Sequence, residues 1–561
     1  MDSRAREKLS IGAATVTERM DFPGHGRIRS LTVAAPISKP GKNCQADGKD
    51  AKTMDGFEPT PDREAENADP TLGTSCVPAD TERRALVVSS LYADEEMADQ
   101  IGREAYSYRF VYRAFAPLLE RWGTTEEVTQ AESRLDYAVR RLRGQRLNPV
   151  HLSFLPLHLT YLSRHSANIA FPFWEFPDLP DRNFGSNPRH NWVQVADRLQ
   201  MILTASNFTR DTFLRAGVET PVRVVPVPIP EAYFDVPRWH PGQETNLDTP
   251  CYVVPQPEPT PGIVKNPWLP LHWKDLKPRA RLSRIYKSYL KPRMPSRVDR
   301  YLTAAVHAAA AVHAERRQDI RVNHPVTAGL HLSGIVYTAI FNPFDPRKNW
   351  QDLISAFLLA LGDLDDATLV LKLVVCRKLA PHAVNAIIEF RRRLGVTHKC
   401  KLVLVPAYLS ETQMTDLARA STYYVNTARA EGACLPLQDF LAARRPGIAP
   451  LHTAMSDYFS EELGFVLDSH LEPASWPHDP EQRMSTRWNR LVWESLHDQL
   501  QSSYLLAKQD QGQYQTLAAN GRDRMLDFAS AETVWPKLLA ALNSVGEGAE
   551  TRATEAVMIE Q

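Results

Sequence analysis

The chain has 561 residues and a mass of 63.3 kDa, enough for two to four domains. A hydrophobic share of 43% and a charged share of 24% are those of a globular protein with sizeable cores. Lys plus Arg and Asp plus Glu balance at 66 each, so the chain as a whole makes no electrostatic case for a nucleic-acid partner.

Residues 1–82 lack hydrophobic periodicity and are rich in charged residues, Pro and Gly, which predicts a disordered tail. Order is expected from Arg84, where RALVVSSL reads as a buried strand, followed by a helical stretch from Met97 to Arg121. Short apolar runs then recur at Pro149–Phe154, Asn168–Trp174, Gln200–Ala205 and Val222–Val227. Short apolar runs alternating with helical patterns predict parallel strands with crossover helices, and hence a first α/β domain over 83–235.

Residues 236–330 break that rhythm. Pro is dense from Pro237 to Pro270, and Lys274–Arg300 carries ten basic side chains against Asp275 and Asp299 alone. This reads as an inserted Pro-rich and basic helical arm. Its alternation of cations with apolar and aromatic residues fits docking on an anionic membrane surface through 274–300. It fits an ion-paired helix on the protein's own surface equally well.

A second α/β rhythm starts at Gly334, with strands expected at Ile335–Phe341, Thr368–Val375, Lys401–Val405, Tyr423–Asn426 and Gly447–Pro450. This second Rossmann-like domain spans 331–480. Helices are expected over 481–545, and a frayed, disordered end over 546–561.

The six cysteines form no C-x-x-C pair and no His pair has zinc spacing, which fits a reducing compartment without structural metal. The first residues lack the apolar core of a signal peptide, and no apolar run approaches the roughly 18 residues of a membrane span. The expected location is cytoplasmic, with at most peripheral contact at the inner face of a membrane.

Two motifs carry chemistry. In Glu431-Gly432-Ala433-Cys434-Leu435-Pro436-Leu437-Gln438-Asp439, a strand gives way to a loop of small residues and then to a helix near Pro436. Pro suits a first helical turn because it has no N–H to leave unpaired. The free N–H groups and positive dipole end of such a helix bind anions. Glu431 and Asp439, eight positions apart, would flank that pocket and accept hydrogen bonds from sugar hydroxyls. The second motif, Phe341-Asn342-Pro343-Phe344-Asp345-Pro346-Arg347-Lys348-Asn349, follows the strand that opens the second domain. Ligands of open α/β sheets bind at the carboxyl ends of strands, and an adjacent Arg347 and Lys348 suit a diphosphate. Taken singly, each motif also fits an ordinary surface turn or a capped helix.

With its two motifs in order and about eighty residues apart, the chain resembles the donor half of glycosyltransferase family four, the group-one retaining enzymes. The likeness covers residues 330–460 well and 149–235 moderately. It implies a GT-B fold, with two Rossmann-like domains facing across a cleft, and a nucleotide-diphosphate sugar as donor substrate. No cofactor and no metal is implied. By position, Lys348 and Arg347 would hold the diphosphate, Glu431 would contact the transferred sugar, and backbone N–H groups from Gly432, Ala433, Cys434 and Leu435 would face the donor. Asp439 stands where the family usually has Glu on the ribose, and Asn342 near the place of a further Arg. The loop after the last strand, including Thr453, lies near the donor pocket in the family.

In the amino-terminal half, Phe173-Trp174-Glu175 resembles a loop at the interdomain cleft, where Glu175 would contact the acceptor or polarise its hydroxyl; a helix-capping or salt-bridged Glu175 fits at least as well. His151, His158 and His165 also fall there, and spacing selects none of them. The expected activity is retaining hexosyl transfer to a glycan or lipid-linked acceptor, in cell-surface polysaccharide or lipid-linked oligosaccharide synthesis. The competing expectation, motivated by Asp439 and Asn342, is a non-catalytic glycosyltransferase-like scaffold subunit.

Overall fold

Two parallel sheets organise the chain. The computed structural model describes residues 83–182, 188–256, 326–476 and 485–559, with side chains described as far as 545. The tail 1–82 and the basic segment 274–300 lie outside the described residues.

The first sheet is built from β1 (Arg84–Ser89), β2 (Thr124–Val128), β3 (Asn148–Ser153), β4 (Asn168–Ala170), β5 (Met201–Thr204) and β6 (Val222–Val224). Their order is β2-β1-β3-β4-β5-β6, and every pairing is parallel. The helix expected over Met97–Arg121 is split into Met97–Gln100 and Ser107–Trp122. Gly102 and Ala105 between the two pieces take positive φ, which ends one helix and redirects the chain before the next. The edge strand β2 and the following helix Ala131–Gly144 have no counterpart in the expected elements. The sequence of β2, Thr-Thr-Glu-Glu-Val, buries only Val128 fully, so it has no apolar run to betray it.

The second sheet contains β8 (Tyr252–Val253), β10 (Ile335–Phe341), β11 (Ala367–Leu373), β12 (Lys401–Val405), β13 (Tyr423–Val425), β14 (Gly447–Pro450) and β15 (Gly464–Leu467). Their order is β15-β14-β13-β10-β11-β12-β8, with β8 alone antiparallel. Side chains alternate between its two buried faces. On β11, Leu369, Leu371 and Leu373 pack with Leu353, Phe357 and Leu496, while Val370 packs on the other side with Leu437, Phe440 and Leu441.

The segment expected to be a separate arm is partly absorbed into this domain. Tyr252–Val253 extends the second sheet, and β7 (Thr245–Leu247) pairs with β9 (Leu330–Leu332) in a small two-stranded sheet. Residues 485–491, expected to be helical, form β17 (Ser485–Leu491), which pairs antiparallel with β16 (Ser469–Ser475). Neither strand is an apolar run, and Pro473 on β16 masks it further.

Three helices close the fold: Trp493–Gln509, Gln511–Ala529 and Ala531–Ile559. The last continues through the end that was expected to fray from 546. It returns to the first domain, where Val534, Leu538, Leu542 and Val545 join the core of Leu86, Phe115 and Phe171. The indole N–H of Trp122 donates to Asn543 Oδ1 at 3.0 Å, and Arg121 lies over the Trp535 ring. No helix among the described residues is long and apolar enough to cross a membrane.

Candidate active site

The loop after β10 carries Arg347 and Lys348 on a short 3-10 turn, Pro346–Lys348, capped by the Asp345 side chain, which accepts from the Arg347 N–H at 3.0 Å. Asn349 then takes a left-handed conformation, φ 49°, and starts the helix Trp350–Ala360. Asn tolerates that region better than most side chains. This pins Arg347 and Lys348 at the carboxyl end of the strand.

The loop after β13 faces them. Cys434, also left-handed at φ 58°, precedes the helix Leu435–Ala442, and Pro436 sits in its first turn. Two donors fix the Ala433 carbonyl, the Tyr458 hydroxyl at 3.0 Å and Gln438 Nε2 at 3.0 Å. Thr453 anchors Glu431: the Glu431 N–H donates to Thr453 Oγ1 at 3.1 Å, and the Ala454 N–H donates to the Glu431 carbonyl at 3.2 Å. Thr453 holds φ 51°, a strained value for a β-branched residue.

Lys348 Nζ lies 2.5 Å from Glu431 Oε1. Burial, the largest single influence, disfavours the ammonium, but Glu431 and Asp345 together more than offset it and hold Lys348 above its ordinary pKa. Arg347 is gripped twice, by Asp345 Oδ2 at 2.7 Å and by Glu175 Oε1 at 2.7 Å. It also donates to the Ala430 carbonyl at 3.2 Å. Burial raises the Asp345 pKa and the neighbouring Arg347 and Lys348 charges lower it; the charges prevail, and Asp345 is held below the ordinary carboxylate range.

Glu175 belongs to the first domain, so the Arg347–Glu175 pair joins the two domains at their strand ends. Two further contacts do the same. Asn342 Nδ2 donates to the Gly102 carbonyl at 3.0 Å. Gly432 lies against the other domain so closely that an added Cβ would come within 3.1 Å of Phe173 Cβ. The structure therefore brings Lys348, Arg347, Glu431, Glu175, Thr453 and the 432–435 loop together. It turns the Asn342 amide to the Gly102 backbone.

Asp439 stands apart. The helix opens at Leu435, one residue earlier than expected, so Asp439 falls just beyond its first turn. Burial alone pushes its carboxyl up to about 8. His151 is a core residue, bonded to Ser89 Oγ at 2.8 Å and Asn168 Oδ1 at 2.9 Å, and burial lowers its pKa to about 4. His158 pairs with Glu104 Oε1 at 2.8 Å and stacks on Trp192.

Two residues near the site escaped the sequence reading. Tyr106, between the split helices, feels the charges of Lys348, Asp345, Glu431 and Arg347; burial, its largest influence, pushes its phenol up to about 12. Arg429, two residues before Glu431, links several loops. Tyr106 lies in no recognisable pattern and only the fold brings it here, whereas Arg429 is signalled by its place two residues before Glu431. Among the described residues, no group of three or more His, Cys, Asp or Glu is placed to hold a metal ion.

Two Rossmann-like domains meeting at the carboxyl ends of their strands, with a final helix crossing back to the first, form a GT-B architecture. No family profile matches the sequence, and no curated protein matches it. Several solved structures are similar in part. HepE from Anabaena, in complex with UDP and glucose, superposes with a TM-score of 0.45 at 12% identity, covering 82% of this chain and 100% of HepE. Sucrose-phosphate synthase from Thermosynechococcus elongatus gives 0.46 at 11% identity, covering 83% and 100%. A glycosyltransferase from Rickettsia africae gives 0.45 at 9% identity, covering 82% and 98%.

Proposed function

We propose that this protein is a retaining glycosyltransferase that takes its sugar from a nucleotide-diphosphate donor. The observation that carries this reading is the convergence of Lys348, Arg347 and Glu431 beside the start of the Leu435–Ala442 helix, at the carboxyl ends of β10 and β13. Two fixed cations beside a helix N-terminus suit a diphosphate leaving group.

Both cations are already paired with carboxylates, so donor binding is an exchange of partners. The diphosphate takes the place of Glu431 at Lys348 and of Glu175 at Arg347. Glu431, released from Lys348, then accepts hydrogen bonds from the sugar hydroxyls. The loop at Thr453 fixes Glu431 from behind. N–H groups from Gly432 to Leu435 face the donor.

In the reaction the bond between the anomeric carbon and the diphosphate oxygen breaks as the acceptor oxygen attacks from the same face. The acceptor proton passes to an oxygen of the departing phosphate, and configuration is retained. Preorganised charge at the developing diphosphate supplies most of the catalysis. With Lys348 and Arg347 in that role, no divalent cation is required. Glu175 orients the acceptor hydroxyl. The acceptor class is a glycan or a lipid-linked saccharide.

A thermal-shift screen against UDP, GDP and ADP tests the reading. A ligand at about 100 times its Kd should add about 2.7 kcal/mol of stability. Stabilisation by one nucleotide, with retained anomeric configuration in the product by NMR, is the expected result. A folded protein that responds to none of them overturns this reading in favour of the non-catalytic scaffold.

A further inference from the structure

We infer that Arg429 is a positioning residue of this site and that the β16–β17 hairpin holds it there. The inference rests on the functional reading above. Arg429 makes contacts in three directions. Its N–H donates to the Arg347 carbonyl at 2.7 Å, tying the Glu431 loop to the Lys348 loop. Its Nη2 donates to Asn349 Oδ1 at 3.3 Å, reaching the residue that turns the chain after Lys348. Its guanidinium lies 4.7 Å from the centre of the Trp488 ring on β17, with Glu472 Oε1 on β16 at 3.6 Å.

The hairpin presents those two side chains together because Glu472 and Trp488 face each other in register, and the Trp488 indole N–H donates to Glu472 Oε1 at 2.8 Å. The Asn489 N–H also donates to the Arg429 carbonyl at 2.9 Å. One strand thus grips both the backbone and the side chain of Arg429.

The same hairpin reaches the first domain. Trp476 packs on Trp174 with ring centres 5.5 Å apart. Thr486 Oγ1 donates to Asp178 Oδ2 at 3.3 Å, and Arg487 Nη2 lies 3.8 Å from Asp178 Oδ1. Trp174 and Asp178 bracket Glu175. The hairpin therefore clasps the two loops that carry Glu431 and Glu175, one from each domain, and sets their separation. Arg429 touches neither reacting atom nor donor; it acts through Glu431 and Lys348.

The test uses the full chain with Arg429→Lys, Trp488→Ala and Trp488→Phe. Amide hydrogen exchange is read by mass spectrometry in peptides spanning 427–435 and 173–179. Affinity for UDP, GDP and ADP is read by calorimetry, and turnover with UDP-glucose, UDP-N-acetylglucosamine and GDP-mannose by nucleotide release. Trp488→Ala is expected to speed exchange in both windows. It should lower kcat about 10- to 100-fold, because a 1 Å misplacement of a reacting group costs up to about 10²-fold. Affinity for the nucleoside diphosphate should hold within about threefold. Arg429→Lys, which keeps the charge and loses the planar stack, should match Trp488→Ala. Trp488→Phe, which keeps an aromatic face, should recover most of the rate.

Unchanged exchange in both windows overturns the clasp. Faster exchange throughout the chain, with kcat and affinity falling together, overturns it as well, because the hairpin is then merely structural. If the wild type binds no nucleoside diphosphate, the functional reading fails, and the two exchange windows alone decide whether the hairpin positions these loops.

Discussion

The two domains supply the site differently. The second domain brings Lys348 and Glu431 together on its own loops, after β10 and β13, each fixed by local turns and caps. The first domain contributes Glu175, and that residue meets Arg347 only where the domains touch. One pair is assembled by the folding of a single sheet. The other exists only while two sheets are held together. The comparison separates a pair internal to one domain from a pair that joins two.

The sharpest way to test the difference is Lys348→Ala. If the second domain alone provides the diphosphate site, this change should abolish nucleotide stabilisation and lower turnover by about 10²–10³, the effect of removing one electrostatic stabiliser of a transition state. Initial rates and a nucleotide thermal-shift series measure both. Retained binding would move the site away from this loop.

Glu431→Ala leaves Lys348 buried without its carboxylate. Removing one member of a buried pair costs about 3–5 kcal/mol. Urea unfolding should show that loss even without ligand, and a change under about 1 kcal/mol would mean that Lys348 finds another partner.

Glu175→Gln should act in the opposite sense to Lys348→Ala. It weakens the interdomain pair while freeing Arg347 for a phosphate. Nucleoside diphosphate affinity should rise about 2- to 10-fold, as expected for removal of a competing hydrogen bond to a charged group, about 0.5–1.5 kcal/mol net. Calorimetry decides, and reduced affinity would mean that Glu175 helps to bind the nucleotide.

A separate prediction concerns Asp439 and pH. Its carboxyl is raised to about 8 in the folded protein, against an ordinary value of 3.8. Between these values the folded state binds the proton that the unfolded state has released. Stability from this group is therefore present below about pH 4 and is lost as pH rises towards 8. Asp439→Asn should flatten the fall in Tm over that range, and a parallel pair of Tm curves would refute it.

The second domain was the more legible in the sequence, for physical reasons. Its central strands are buried on both faces, so β10, β11 and β12 read as continuous apolar runs. Lys348 and Glu431 stand in ordered motifs between such runs. What escaped notice lies where burial is partial. β2 is an edge strand, and β16 and β17 alternate polar residues with occasional apolar ones. Asn342, expected to face the donor without the charge of the Arg found near that position in the family, turns its amide to the Gly102 carbonyl of the other domain. No local pattern encodes a contact across 240 residues.

The returning helix carries a consequence for synthesis on the ribosome. Trp122 waits for Asn543, which follows 421 positions later. At roughly 5–20 residues per second that delay is about 20–80 s. During it, the nascent first domain presents an uncovered apolar seam around Leu86, Phe115 and Phe171, which Leu538 and Leu542 later fill. The first domain, made before the second, is completed only after it, and a holding chaperone would find its substrate in that interval.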